Sequence, residues 1–299
     1  MQNKVRKTQT KEMDKLFYIV TYTVMLILLF VCLYPFYYVF IYSISDPSLA
    51  QKGITFLPKG ITITNYSKVL SLDGILRSFF ISLSRTVLGS GLTVLACSFF
   101  AYLVTKNIYG RRFIYRFVII TMYLNAGLIP WYLTLKSYHL TNTFWVYIIP
   151  SAISAYYVVL LKTFIENLPV SLEESAKLDG AGYVTIFAKI VFPLSKPILA
   201  TITVFSAVAQ WNNWFDNYIL VQSEKLETLQ LMLYNYLNQA SQLSQMSTTS
   251  LQHGAAAYTL TAQSVRMTIT MVATLPILFV YPFMQKYFVK GIMLGAVKG

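Results

Sequence analysis

Six long apolar runs, at residues 16–44, 75–105, 113–136, 143–165, 198–220 and 264–288, alternate with shorter polar segments along the chain. Each reaches the roughly 20 residues that a helix needs to cross a bilayer. The dyad alternation of a β-barrel strand is not what these runs carry. The pattern predicts an all-α polytopic membrane protein with six transmembrane helices. Residues 1–15 precede the first helix, and residues 45–74 form an outer loop with turn signals at Asp46-Pro47 and Leu57-Pro58-Lys59-Gly60. Residues 75–288 hold the other five spans, and residues 289–299 make a tail. The outer loop at 222–263 has a Ser/Gln/Thr-rich middle that is too polar to bury and too long for a tight connection.

Between the fourth and fifth runs lies a charged, glycine-punctuated island, Ser171 to Pro193, reading SLEESAKLDGAGYVTIFAKIVFP. Ser171 followed three residues on by Glu174 fits a capping box, in which side chains and backbone amides satisfy one another. A helix of about two turns, Leu172 to Asp179, is expected to stop at Gly180 in the left-handed conformation. A second helical segment runs from Tyr183 to Phe192, until Pro193 and Pro197 mark the start of span five. Spacing alone favours a helix that merely links two spans.

Composition and charge sharpen the topology. The 299 residues are 56% hydrophobic and 12% charged, with mean hydropathy +0.55, about half the charge of a soluble domain. The net charge of +13 is a matter of placement. With the N-terminus inside, sixteen of the 24 Lys and Arg fall in inner segments, among them Lys4, Arg111, Lys177 and Lys286. That bias follows the positive-inside rule with both termini cytoplasmic, and it removes the argument for nucleic acid. The first apolar run is too long for a signal-peptide core and reads as a retained span. Cys32 and Cys97 both fall inside spans and lack metal-ligand spacing.

Several chemistries are missing. None of the 13 glycines is followed by lysine, so there is no phosphate-cradling P-loop in this chain. Only Asp216, of 11 acidic residues, falls within a span, which argues against ion-coupled transport. His139 and His253 map to outer loops, and neither HExxH nor GxSxG occurs. The chain is not expected to be an enzyme or to bind a cofactor or metal.

The exact residues of the island add more. Glu174-Ser175-Ala176, Gly180 and Ile190-Val191-Phe192-Pro193 resemble the Glu-Ala-Ala, Gly, Ile-x-Leu-Pro signature of ABC-importer permeases at the family's spacing. Ser175 replaces the middle alanine and Phe192 the leucine. The resemblance implies the type I importer permease fold in a bacterial plasma membrane. It also implies a second permease subunit, two ATP-binding subunits that carry ATP and Mg, and an extracellular solute-binding protein. Glu174, Ser175, Ala176, Asp179, Gly180, Ala181, Ile190 and Pro193 would then contact a groove on the ATPase, with Glu174 either capping its helix or pairing with a basic residue there. The Trp211-Asn212-Asn213-Trp214-Phe215-Asp216 stretch and the C-terminal tail look like the carbohydrate branch, near maltose-type, oligosaccharide and aldouronate permeases. In that branch the tail residues Gly295, Val297, Lys298 and Gly299 would reach the ATPase interface; the alternative is a frayed basic end.

For the solute, Trp211, Asn212, Asn213, Trp214 and Asp216 supply indole faces, amides and a carboxylate, a composition that suits a sugar path. An aromatic belt at the outer interface explains the same residues. Asn125 and Arg85 are polar groups expected to face the bundle interior or a partner, Arg85 preferably in a structural ion pair. The 222–263 loop either probes the binding protein or is a linker. The function expected is ATP-driven import of an oligosaccharide or sugar derivative. Rival readings are import of a non-sugar solute, ion-coupled secondary transport, and a non-transporting scaffold.

Overall fold

The computed structural model describes residues 2–53, 56–124, 126–246 and 262–296. The principal helices are α1 (Gln2–Ser43), α2 (Ile75–Thr105), α3 (Arg111–Tyr123), α4 (Leu128–Ser137), α5 (Ala155–Glu166) and α6 (Val170–Leu178). They continue with α7 (Tyr183–Leu194), α8 (Lys196–Asn212), α9 (Phe215–Leu220), α10 (Leu229–Met246) and α11 (Ala262–Ala296). Among the described residues the only β pairing is an isolated bridge between Ser45 and Ile61.

The chain divides into two compact units. In the unit formed by residues 1–71 and 242–272, α1 exposes most of its apolar side chains between Leu16 and Phe40. Its last turns pack. Ile41 and Tyr42 are buried there, and the Asn65 side-chain amide donates to the Ser43 and Ser45 carbonyls at 2.9 and 2.8 Å. Asp46 then caps a short helix, Pro47–Ala50, accepting from the Ser48 amide at 2.9 Å.

The second unit, residues 72–241 and 273–299, is organised around α2. One face of α2 is a column of small buried residues at helical spacing: Ser78, Ser82, Gly89, Thr93, Cys97 and Ala101. Small residues let helix backbones approach closely in a membrane, where packing rather than hydrophobic exclusion drives association. α8 and α5 both pack on α2. Gly89 makes the closest approach: a Cβ there would lie 2.6 Å from Gln210 Nε2 on α8. A Gly89→Val variant is expected to lose about 1–3 kcal/mol through overpacking, read as a lower unfolding midpoint of the detergent-solubilised protein. Gly91, which meets nothing within 4 Å, provides the control.

Several apolar runs are not single helices. Three helices are long and apolar enough to cross a membrane among the described residues, or four if α7 and α8, bent by 81°, make one span. Run three breaks between α3 and α4, where Gly127 has φ +81°. Run four holds a short 3-10 turn, Phe144–Tyr147, then an irregular stretch before α5. Run five breaks after α8, where Asn213 Oδ1 accepts from the Phe215 amide at 3.1 Å. Irregular backbone at membrane depth is tolerated only where protein or water satisfies it. Here Thr93 Oγ1 donates to the Ser151 carbonyl at 3.0 Å, Gln210 Nε2 donates to the Tyr147 carbonyl at 3.1 Å, and the Ser154 amide donates to Cys97 Sγ at 3.3 Å.

Candidate functional site

The island folds as two helices joined by a glycine turn, and α6 starts earlier than its sequence suggests. Pro169 occupies the cap position and no side chain caps α6, so the Ser171–Glu174 capping box is not formed. The fixed φ of proline starts the helix at Val170, which puts Ser171 inside the first turn rather than ahead of it. The other end follows the glycine rule. Gly180 has φ +81°, and the Ala181 amide donates to the Ala176 carbonyl at 2.9 Å.

α6 buries none of its residues. Glu174, Ser175 and Asp179 are exposed, whereas Ala176 and Ala181 are partly buried against the core of this unit. On the same helix Leu178 is 89% exposed. Beyond the turn, α7 carries a π-helical stretch at Phe187–Val191. Ile190 and Pro193 are half-buried there. Of the tail residues, Gly295 lies in the last turn of α11, while Val297, Lys298 and Gly299 fall outside the described residues.

The polar centre lies along α2 at Arg85, only 1% exposed. Its guanidinium forms a two-point ion pair with Asp216, at 3.1 Å to Oδ1 and 2.5 Å to Oδ2. Nε and one terminal nitrogen donate to Gln210 Oε1 at 3.2 and 3.1 Å, and the other terminal nitrogen donates to the Asn213 carbonyl at 3.0 Å. Those contacts engage all five guanidinium hydrogens. The Tyr147 ring lies 4.4 Å from the guanidinium carbon. Breaks in runs four and five bring these groups together, because each break aims backbone and short polar side chains inward.

A cavity of about 700 Å³ opens beside this pair, lined in part by Trp131, Thr134, Tyr147, Ser151, Asn213 and Asp216. A second space of about 350 Å³ shares Tyr147, Ser151, Asn213 and Asp216, and adds Thr93, Tyr157, Ser206 and Gln210. Asn213 and Asp216 are thus at the cavity. The two tryptophans are committed elsewhere. Trp211 is buried, its indole donating to the Ala273 carbonyl at 2.9 Å, and Trp214 stacks on Tyr234 at 3.9 Å between ring centres. Asn212 is exposed, and Asn125 falls outside the described residues. Sequence reasoning missed Tyr147, Ser151 and Gln210. Gln210 carried a usable signal, since it sits one turn before Asn213 on an otherwise apolar helix.

An open, largely apolar cavity with a few polar groups at its wall, set among long apolar helices, fits a membrane permease. Comparison with known proteins specifies which kind. Residues 89–294 match the family described as binding-protein-dependent transport system inner membrane component. The polygalacturonan/rhamnogalacturonan transport system permease protein YtcP of Bacillus subtilis (strain 168) is 34% identical, over 96% of this chain and 99% of its own. Protein LplC of the same organism is 36% identical, over 89% of each chain. A chain from the crystal structure of a bacterial ABC transporter involved in the import of the acidic polysaccharide alginate superposes with TM-score 0.82 and 30% identity. That alignment covers 92% of this chain and 97% of the other. The chain belongs to the family of inner-membrane components of binding-protein-dependent transport systems, and it has the type I importer permease fold. It is a transport subunit and not an enzyme; in ABC importers the ATPase is a separate subunit.

Proposed function

We propose that this chain is one of two permease subunits of an importer for an oligosaccharide or sugar derivative, gripped from the cytoplasm through α6. Its partners would be a second permease, two ATP-binding subunits carrying ATP and Mg, and an extracellular solute-binding protein. Both termini would lie in the cytoplasm of a bacterial cell. The observation that carries the coupling reading is that α6 buries none of its residues and ends at a left-handed glycine. Glu174, Ser175, Ala176, Asp179, Gly180 and Ala181 would form the docking surface, and Leu178 its apolar anchor. Closure of the ATPase pair moves α6, and the cavity beside Asp216 opens alternately to the two sides.

The sugar reading rests on the printed roles of the relatives and on the cavity's hydroxyl, amide and carboxylate groups, which suit a polyhydroxylated solute. Ile190, Pro193 and the tail residues Gly295, Val297, Lys298 and Gly299 belong to the ATPase side in this reading. Trp211, Asn212 and Trp214 serve as support around the path rather than as its lining, and Asn125 belongs to the path in this reading.

Two measurements test the reading. Leu178→Asp is expected to weaken co-purification of the ATPase about 30-fold, as loss of a hot-spot anchor does. Undiminished co-purification would remove α6 as the docking element. In liposomes holding the complete complex, neutral and uronate oligosaccharides are expected to stimulate ATP hydrolysis more than amino acids or peptides. Stimulation by amino acids or peptides alone would overturn the sugar assignment.

A further inference from the structure

One side chain of α6 and one from the end of α2 form an ion pair that the docking surface does not use. Lys106, which follows the last residue of α2, donates from Nζ to Glu173 Oε1 at 2.5 Å and also engages Oε2. The two side chains are only 11% and 17% exposed. Lys106 Nζ lies 4.4 Å from the centre of the Tyr102 ring, one turn back on α2. Beyond the glycine turn, Phe187 packs on the same end of α2, with ring centres 5.2 Å from Phe99 and 5.5 Å from Tyr102. α2 is therefore held on both sides of the turn, by charge before Gly180 and by aromatic packing after it.

We propose that the Lys106–Glu173 pair is the strut that makes α2 move with α6, so that ATPase closure reaches the cavity through one rigid helix. The proposal rests on the coupling reading of α6. The span from Lys106 back to Arg85 is roughly 30 Å of continuous helix. At its far end Arg85 holds Asp216 and the Asn213 carbonyl, both at the cavity wall. A largely buried, hydrogen-bonded pair suits this task, because losing one partner leaves a charge without compensation. Aromatic packing at Phe187 alone tolerates slippage that a fixed ion pair resists. Lys106 and Glu173 are positioning residues: neither lines the cavity beside Asp216.

The test needs no knowledge of the sugar. In the complete complex, a cysteine placed at Thr134 on the cavity wall, in a Cys32→Ser background, reports access to a membrane-impermeant thiol reagent. MgATP with vanadate is expected to change its labelling rate in the parent complex. Lys106→Met and Glu173→Gln are each expected to keep the ATPase and hydrolyse MgATP, yet to reduce that change about tenfold, within the usual range of coupling energies. Lys106→Arg and the swap Lys106→Glu with Glu173→Lys are expected to restore it. A full labelling response in both single variants overturns the strut, as does a swap no better than the singles. If the singles lose the ATPase altogether, recovery in the swap decides the matter. A parent that shows no labelling response would instead refute the coupling reading of α6.

Discussion

Arg85→Met is expected to cost the protein about 3–5 kcal/mol, because it strands a buried Asp216 carboxylate without its counter-charge. The geometry makes the loss larger than one ion pair suggests. Gln210 Oε1 and the Asn213 carbonyl lose their donors as well, and both sit where helices break. Asp216→Leu should be severe for the mirrored reason, leaving a guanidinium in a wall that accepts it only through Gln210, Asn213 and the Tyr147 ring. The double variant Arg85→Met with Asp216→Leu is expected to recover much of the stability, since well-packed apolar pairs often replace buried ion pairs at little cost. Thermal unfolding of the detergent-purified complex measures all three. Equal destabilisation in the double variant and the singles would show that volume, not charge, holds this centre.

Gly180→Val is expected to cut ATPase association by about tenfold or more, because a β-branched residue at φ +81° costs about 1–2 kcal/mol. No atom lies within 4 Å of a Cβ built there, so the cost is in the backbone rather than in a clash within the chain. Comparing Gly180→Asn with Gly180→Ala separates the two origins. Asparagine tolerates the left-handed region better than alanine, so it should retain more ATPase. If asparagine proved worse than alanine, a steric limit in the partner's groove would be the cause. Co-purification of the ATPase with each variant supplies the measurement.

The helical class and the glycine-stopped helix of the island were legible because their signals are local. Apolar length announces a membrane helix, and the Gly180 turn follows from a helix stop whose chemistry lies within a few residues. The capping box failed for an equally local reason, since Pro169 two positions earlier set the helix start. What the sequence left hidden is the breaking of runs three, four and five. Run four is apolar through Pro150, and the polar residues at the other two breaks, Asn125 and Asn212-Asn213, are too few to pull the surrounding runs below the hydropathy of a continuous helix. Hydropathy does not distinguish a helix from an irregular segment whose carbonyls are met by Thr93 and Gln210. The Arg85–Asp216 pair joins residues 131 positions apart, so spacing gave no measure of it. The tryptophans misled for a related reason: indoles look equally available in a sequence whether their faces are free or, like Trp214 on Tyr234, already covered.

The full engagement of Arg85 also bears on how long cargo stays. A guanidinium with a spare hydrogen would seize a passing hydroxyl or carboxylate and release it slowly. Here every hydrogen of the fork is already committed within the protein. Under the proposed path, a solute in the cavity would exchange hydroxyl contacts with Ser151, Asn213 and Asp216, which line it, without gaining a fresh cationic grip. Passage requires binding firm enough to admit a solute and loose enough to let it go. If the cavity is the solute path, as proposed, dwell time in it is expected to be short, with the direction of travel decided by which side is open when the solute lets go.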